Sequence, residues 1–202
     1  MDPALSLAKA NMRRRLRGLR RDLARDREAA SECAARLAPL QLWPPRPIVA
    51  GYLAMETEFD PGPLLRRLTA AGAQVVMPVV AARGAPLLFR DADGPEAFQA
   101  DAAGILAPPP SAPARIPRLI IAPLLAFDRA GGRLGQGGGF YDRTLRGLRR
   151  QGEVTVVGLA FAGQEVERTP MGRFDERLDA ILTETGYIEV SEGNSHAHSV
   201  LR

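Results

Sequence analysis

The 202-residue chain is predicted to be an α/β protein, and three observations carry that reading. Short apolar runs at residues 48–53, 75–80, 119–122 and 154–161 are bounded by breakers and have the length of buried strands. Helix signals fill the gaps between them: residues 61–71 start at a proline and stop at Gly72, which makes 48–80 a β–α–β unit. The composition, 46% hydrophobic and 25% charged, is that of a chain able to bury a sizeable single core. Together they predict one domain over residues 1–190, with a mainly parallel central sheet and helices on both faces. This is a three-layer, Rossmann-like arrangement, followed by a polar tail (191–202) expected to be disordered.

The elements follow in order. Asp2-Pro3 is a helix start, a cap residue followed by proline at the first helical position. Met12, Leu16, Leu19 and Leu23 then mark one apolar helix face. Lys9, Arg13, Arg17 and Arg20 keep the same spacing one position further round and border that stripe, where long basic side chains lie along the protein and reach a cleft. Arg14, Arg15, Arg21, Arg25 and Arg27 enlarge the basic surface. Three readings stay open at this point: a solvated face, contact with nucleic-acid phosphates, or a clamp in which only Lys9 and Arg13 hold a nucleotide. Residues 29–40 read as a second helix with Cys33, Leu37 and Leu40 inside, ended by Pro44-Pro45-Arg46-Pro47.

After the strand at 48–53 comes a loop, 54–60, with Glu56 and Glu58. Ligands in open α/β sheets lie beyond the carboxyl ends of strands, so either glutamate could meet one, with surface solubility the better reading of Glu56. Residues 87–89 suggest a short strand. Residues 91–117, rich in Ala, Pro and Asp, read as a surface excursion with one helical turn at 96–99. The run 119–122 is the central strand, and Ala126-Phe127-Asp128 leads out of it into a glycine loop. A helix at 141–150 and a β-branched strand at 154–161 follow. Gln164, just past that strand, is expected to line the cleft. Residues 168–177 form a loop carrying Asp175, and 180–183 are the last strand. His196 and His198 fall in the tail and are incidental.

One cysteine excludes a disulfide framework and suits a reduced, cytoplasmic setting. No apolar run approaches the roughly 20 residues of a membrane span, and no signal core is present. The net charge of +4 and pI near 9.9 suit an anionic partner: a nucleotide, an acidic metabolite or a nucleic acid.

The sharpest signal is the stretch from Arg133 to Arg143. Four glycines, Gly135, Gly137, Gly138 and Gly139, sit between two arginines just before a helix, so backbone N–H groups and the helix start can meet a phosphate chain. No Gly-Lys-Ser/Thr follows, so it is not a Walker A loop. Phe140 stands where a dinucleotide fingerprint needs its third glycine. No Ser/His/Asp, Cys/His or zinc set exists. What remains is a phosphate loop with two arginines and two candidate metal carboxylates, Asp142 and Asp175. That set suits electrostatic stabilisation of phosphoryl transfer, which needs no protein nucleophile.

The ordered motifs resemble the 5-formyltetrahydrofolate cyclo-ligase (methenyltetrahydrofolate synthetase) family. They are Lys9-x-x-x-Arg13, Tyr52-Leu53-x-Met55-x-x-Glu58, Pro123-x-x-Ala126-Phe127-Asp128, Arg133-Leu134-Gly135-x-Gly137-Gly138-Gly139-Phe140-Tyr141-Asp142-Arg143, Gly158-Leu159-Ala160-Phe161-x-x-Gln164, and Phe174-Asp175-x-x-Leu178-Asp179-x-x-x-Thr183-Glu184. The resemblance implies ATP- and magnesium-dependent closure of 5-formyltetrahydrofolate to 5,10-methenyltetrahydrofolate, with ADP and phosphate released. It implies ATP binding by Lys9, Arg13, Arg133, Leu134, Gly135, Gln136, Gly137, Gly138, Gly139, Phe140 and Tyr141. It also implies folate contacts at Leu53, Met55, Glu58 and Tyr141, and magnesium ligands at Asp142 and Asp175. The expected partners are ATP and a reduced folate, with or without a polyglutamate tail. Nucleic acid and membrane are not expected partners, and the chain is expected to be a monomer. Phe174, Gln136 and Ala107 depart from the family pattern. The rival readings are a nucleic-acid-binding module built on the Arg-rich helix, and a phosphorylated-metabolite isomerase or transferase on a similar sheet.

Overall fold

The computed structural model describes residues 2–92 and 97–190. Its helices are α1 (Pro3–Leu23), α2 (Arg27–Leu37), α3 (Gly62–Ala70) and α4 (Phe140–Gln151). Its strands are β1 (Ile48–Ala50), β2 (Gln74–Val79), β3 (Leu88–Asp91), β4 (Gln99–Ala100), β5 (Leu106–Ala107), β6 (Leu119–Pro123), β7 (Ala126–Phe127), β8 (Arg133–Leu134), β9 (Thr155–Leu159), β10 (Ala180–Thr183) and β11 (Gly186–Glu189).

Seven strands make one sheet in the order β11-β10-β9-β6-β1-β2-β3. The inner five pair in parallel and the two edges antiparallel. β6 lies at its centre, with Leu119, Ile120, Ile121 and Ala122 fully buried. A continuous apolar run is what a strand covered on both faces requires. Val49, Leu119, Ile121, Val157 and Leu159 pack beneath α2 and α3. Ala50, Val76, Ile120, Ala122, Val156 and Ile181 face the opposite layer, where α4 brings Leu145. The predicted three-layer α/β architecture is therefore the observed one.

This topology fixes where a ligand can sit. From β1 the chain winds outward through α3 to β2 on one face, and from β6 through α4 to β9 on the other. The winding reverses between β1 and β6, and the loops leaving their carboxyl ends part there to open a crevice. The loop after β1 carries Glu58, and the segment after β6 carries the glycines.

Several expectations change in detail. Asp2 caps α1 through Ala4 N (2.9 Å) with Pro3 at the first position, as predicted. The buried stripe is different: Leu16 is buried against Ala126 and Leu134, but Leu19 is 39% exposed and Arg20 only 5%. Leu23 still packs on the main core, but the turn before it faces the polar loop after β1, so an arginine takes a position that periodicity assigns to its apolar neighbour. In α2, Cys33 is only partly covered and Leu37 is exposed, while Ser31, Ala34 and Ala35 are buried. Small residues let α2 approach α3 closely, and Arg67 of α3 donates to the last carbonyls of α2, those of Ala35, Arg36 (3.1 Å) and Ala38 (3.0 Å).

The excursion between β3 and β6 contains the unexpected hairpin β4–β5; of the helical turn expected at 96–99, Ala97 lies in a 3-10 turn, Gln99 is already in β4, and residues 93–96 lie outside the described residues. Asp101 organises it, accepting from Ala103 N (2.8 Å) and Ile105 N (3.1 Å) with one oxygen and from Val80 N (2.8 Å) with the other. The strand β11 was not expected. Its two-residue turn, Glu184-Thr185, has no glycine and is stitched by Thr183 Oγ1, which accepts from Thr185 N (3.2 Å) and donates to Gly186 O (3.2 Å). Gln164 does not line the cleft. It is buried, its Oε1 accepts from Phe161 N (2.9 Å), and its Nε2 donates to the carbonyls of Leu124 and Leu125 (3.0 Å each). The tail and its two histidines lie outside the described residues.

β7 and β8 form a second small hairpin, unforeseen in the sequence, that hands the chain from β6 to the glycine loop. Its turn is built on buried Asp128. One oxygen accepts from Ala130 N (3.0 Å) and Gly132 N (2.9 Å), the other from Thr169 N (2.8 Å) and Thr169 Oγ1 (2.6 Å). Burial alone would raise this carboxyl; the hydrogen bonds outweigh it and hold the group below the ordinary carboxylate range. A Cβ on Gly132 would overlap Thr169 and Asp128, which is why that position is glycine. The stabilisation belongs to the ionised form. It is present above the ordinary carboxylate pKa and is lost as pH falls through the lower folded value. Asp128→Asn is expected to lose about 1–3 kcal/mol at pH 7 in urea denaturation, with the deficit against wild type shrinking below about pH 4.

Candidate active site

Three loops meet at the crevice, and one edge of α1 crosses them. Lys9 pairs with Asp175, and both side chains are largely covered. One turn on, Arg13 Nε donates to Gly135 O (2.8 Å), and its guanidinium lies about where a Cβ on Gly137 would come within 3.3 Å. Arg17 donates to Gln136 Oε1 (3.2 and 3.3 Å). Arg20 reaches the loop after β1, donating to Thr57 Oγ1 (3.1 Å) and lying 3.5 Å from Glu58 Oε1. Burial foremost, then Arg17, lowers the Arg13 pKa; the Asp175 and Asp142 charges act against them. Lys9 and Arg13 thus lie against the Asp175 loop and the glycine loop rather than on a solvated face. Arg14, Arg15, Arg21 and Arg25 are solvent-exposed.

The glycine loop leaves β8 and turns into α4. Gly137 (φ 111°) and Gly139 (φ 65°) adopt left-handed conformations that suit glycine. Gly139 is the N-cap of α4 and supplies no capping side chain, so the first-turn N–H groups face the crevice without an internal acceptor. Gln136, Gly137 and Gly138 are exposed, and the Gly138 carbonyl accepts from Arg143 Nη2 (2.7 Å). A Cβ on Gly138 would meet the Phe140 ring at 2.8 Å, and the Arg143 guanidinium lies 5.3 Å from that ring's centre. Leu134 faces the other way: its side chain is buried against Leu16 and Ala126, so only its backbone is available to a ligand.

Arg133 is buried, pairs with Asp142, and lies 5.6 Å from the Tyr141 ring centre. Its Nε has no hydrogen-bond partner. Asp142 sits in the first turn of α4, and its Oδ1 also accepts from Glu176 N (3.1 Å). That bond draws the loop carrying Asp175 against the helix start and brings the two candidate metal carboxylates to one side of the crevice. Glu176 holds this loop further, accepting from Arg146 and Arg149 (3.1 Å each). The hydrogen bonds and ion pairs of Asp142 use Oδ1, and those of Asp175 use Oδ2, which also accepts from Gly172 N (2.6 Å). Among the described residues no three acidic, histidine or cysteine side chains gather into a ready cage. Two carboxylates without a third fit magnesium better than a metal needing an all-protein shell, because magnesium keeps waters and shares phosphate oxygens.

Across the crevice, Tyr52 and Phe59 anchor the loop after β1. Both are buried, the Tyr52 hydroxyl donates to Phe59 O, and the Phe59 and Phe161 rings lie 4.7 Å apart. Leu53 and Met55, between the anchors, are exposed. Glu58 is buried, and its Oε2 accepts from Met55 N (3.2 Å). Burial raises the hydroxyl pKa of both Tyr52 and Tyr141, and the Glu58 carboxylate raises both further. Phe174 is exposed between Arg146 and Arg173, whose guanidinium carbons lie 5.3 Å and 4.3 Å from its ring centre.

The structure thus gathers Lys9, Arg13, Arg133, Gly135–Gly139, Tyr141, Asp142, Asp175 and Glu58 around one crevice. It adds residues to which the sequence assigned no ligand role: Arg20, Thr57, Gly172 and Glu176. Helical spacing had put Arg20 in the row with Lys9, Arg13 and Arg17; no motif spacing marks Thr57, Gly172 or Glu176.

A family model described as the 5-formyltetrahydrofolate cyclo-ligase family matches residues 6–184. The 5-formyltetrahydrofolate cyclo-ligase of Escherichia coli (strain K12) is 36% identical over 140 residues, which cover 67% of this chain and 76% of that protein. The enzyme of the same name from Mycolicibacterium smegmatis is 37% identical over 116 residues, 54% of this chain and 60% of that one. The solved structure of Aquifex aeolicus 5,10-methenyltetrahydrofolate synthetase superimposes with a TM-score of 0.73 at 26% identity, over 95% of this chain and 99% of its own. That of the Mycoplasma pneumoniae 5,10-methenyltetrahydrofolate synthetase has a TM-score of 0.63 at 22% identity, over 87% and 98%, and so speaks to the fold alone. With the family match spanning the glycine loop, both edges of the crevice and the whole parallel sheet, this chain belongs to the 5-formyltetrahydrofolate cyclo-ligase family.

Proposed function

We propose that this chain closes 5-formyltetrahydrofolate to 5,10-methenyltetrahydrofolate, converting ATP to ADP and phosphate. The observation that carries the reading is the capless start of α4. Its N–H groups open onto a glycine loop flanked by Lys9, Arg13 and Arg133, with Asp142 and Asp175 alongside. The ATP phosphates lie along residues 135–141, and the folate lies against Leu53, Met55, Glu58 and Tyr141. The formyl oxygen attacks the γ-phosphorus and ADP leaves. The neighbouring folate nitrogen then attacks the activated carbon, loses its proton, and phosphate departs. The protein contributes no nucleophile. Its residues place the two ligands end to end and surround the transferring group with fixed positive charge and N–H dipoles. Bound between Asp142 and Asp175, magnesium would neutralise phosphate charge.

Without ligand, the groups assigned to ATP are held by those assigned to the metal: Lys9 by Asp175 and Arg133 by Asp142. Binding both ligands together lets the two pairs exchange, the cations turning to phosphate and the carboxylates to metal. No charge is left bare in the bound state. The nucleic-acid reading gains no support, because the basic edge of α1 nearest the crevice is bonded to the enzyme's own loops.

Purified protein with 5-formyltetrahydrofolate, ATP and magnesium is expected to develop the near-ultraviolet absorbance of the methenyl product; no ATP-dependent signal would defeat the proposal. Arg133→Ala is expected to lower kcat by about 100-fold or more, the scale seen when a charge-stabilising group is removed; unchanged turnover would remove Arg133 from the site. The two carboxylates separate in a urea titration. Asp142→Ala strands buried Arg133 and is expected to cost about 3 kcal/mol. Asp175→Ala frees Lys9 near the surface and is expected to cost about 1 kcal/mol or less.

A further inference from the structure

Of the α1 edge, the reaction above leaves Arg17 and Arg20 unused, and of these two only Arg20 is buried. Its side chain is 6% exposed and that of Glu58 11%. A buried arginine in a helix that leaves Leu19 exposed beside it is a poor device for stability, since burying the leucine instead would remove apolar surface from water without desolvating a charge. Its contacts point to a different role. Nε is fixed on Thr57 Oγ1 (3.1 Å), the residue before Glu58, while Nη1 stands 3.5 Å from Glu58 Oε1 without completing a hydrogen bond to it or to any other described residue. The other carboxylate oxygen is held by Met55 N (3.2 Å). Glu58 is therefore gripped at Oε2 by its own loop and faced at Oε1 by a guanidinium that leaves this oxygen free of a hydrogen bond. The loop is pinned from the same side by Arg27, which donates to the carbonyl of Glu56 (2.7 Å), itself at φ 46°.

We propose that Arg20 is a positioning residue for the folate, acting through Glu58. It holds the carboxylate oriented, with Oε1 available to the ligand. The inference rests on the reading of Glu58 as a folate contact. It also assigns α1 a division of labour: the Lys9–Arg17 part serves the nucleotide loop and Arg20 the folate loop.

The test compares steady-state constants for both substrates in Arg20→Met, Arg20→Lys, Thr57→Val, Glu58→Gln and the double variant Arg20→Met/Glu58→Gln, with thermal melting followed alongside. Arg20→Met is expected to raise KM for 5-formyltetrahydrofolate by about tenfold while KM for ATP changes less than about twofold. Arg20→Lys should recover part of the loss, and Thr57→Val should shift the same constant in the same direction. In the double variant, Arg20→Met should add less than about twofold to the effect of Glu58→Gln, because a residue acting through another has nothing left to act on. Effects that multiply in the double variant, or equal changes in both KM values, would overturn the proposal. Should Arg20→Met fail to fold, an unchanged folate KM in both Arg20→Lys and Thr57→Val would do the same. If Glu58→Gln leaves the folate KM unaltered while ATP-dependent turnover persists, the Glu58 contact falls and this inference with it, but the reaction stands.

Discussion

Everything at the crevice depends on one row of charges along α1. Lys9, Arg13, Arg17 and Arg20 succeed one another at spacings of four, four and three, so they share an edge of the helix. Each lands on a different partner: the Asp175 loop, two points of the glycine loop, and the loop after β1. Those loops leave the carboxyl ends of different strands, and sheet pairing alone would not hold them to one another. The apolar contacts of this helix are Met12 and Leu16 with Ala126, Leu134 and Val166, and Leu23 on the main core; charge-assisted hydrogen bonds dock the edge that faces the loops.

The arrangement has an electrostatic logic. A site built to receive a polyphosphate must keep cations close together with no ligand present. Here carboxylates pair with Lys9 and Arg133, and backbone carbonyls accept from Arg13 and Arg143. A buried cation left unpaired would cost far more than an ion pair that later changes partners. The same economy applies at the start of α4: a serine or aspartate cap would satisfy the first-turn N–H groups permanently, whereas Gly139 leaves them for a ligand. Stability is supplied elsewhere, by the two apolar layers about β6 and by the Asp128 turn that anchors the β7–β8 hairpin beneath the loop.

Patterns confined to a short stretch were legible in the sequence. The apolar run of β6, the β1–α3–β2 unit, the Asp2-Pro3 helix start and the glycines before α4 each signal through neighbouring residues, and each is where it was expected. What was missed depends on partners distant in the chain. Leu19 and Arg20 differ in burial only because of what α1 faces. Gln164 reads as a polar residue beside a cleft, yet it fills three backbone bonds between β6 and β9 segments. The edge strand β11 is made by Thr183 and its neighbours rather than by a recognisable turn sequence. The small surface of Ala34 and Ala35, not Cys33 and Leu37, faces α3 because helix approach is set by the packed pair.

By itself, then, the sequence determined the layered parallel sheet, the glycine loop with its flanking arginines, and the candidate residues for phosphate and metal. Those follow from hydrophobic periodicity, backbone freedom and charge, all of which are local. Only the tertiary structure decided that the winding reverses between β1 and β6 and so places Glu58 opposite the glycines. It also decided that Asp142 and Asp175 meet through the Glu176 amide, and that Arg20 turns inward toward Glu58. These pairings join residues from 34 to 166 positions apart in the chain for Glu176–Asp142 and Lys9–Asp175. Over such separations no periodicity carries information, and the geometry is set by which surfaces the fold brings into contact.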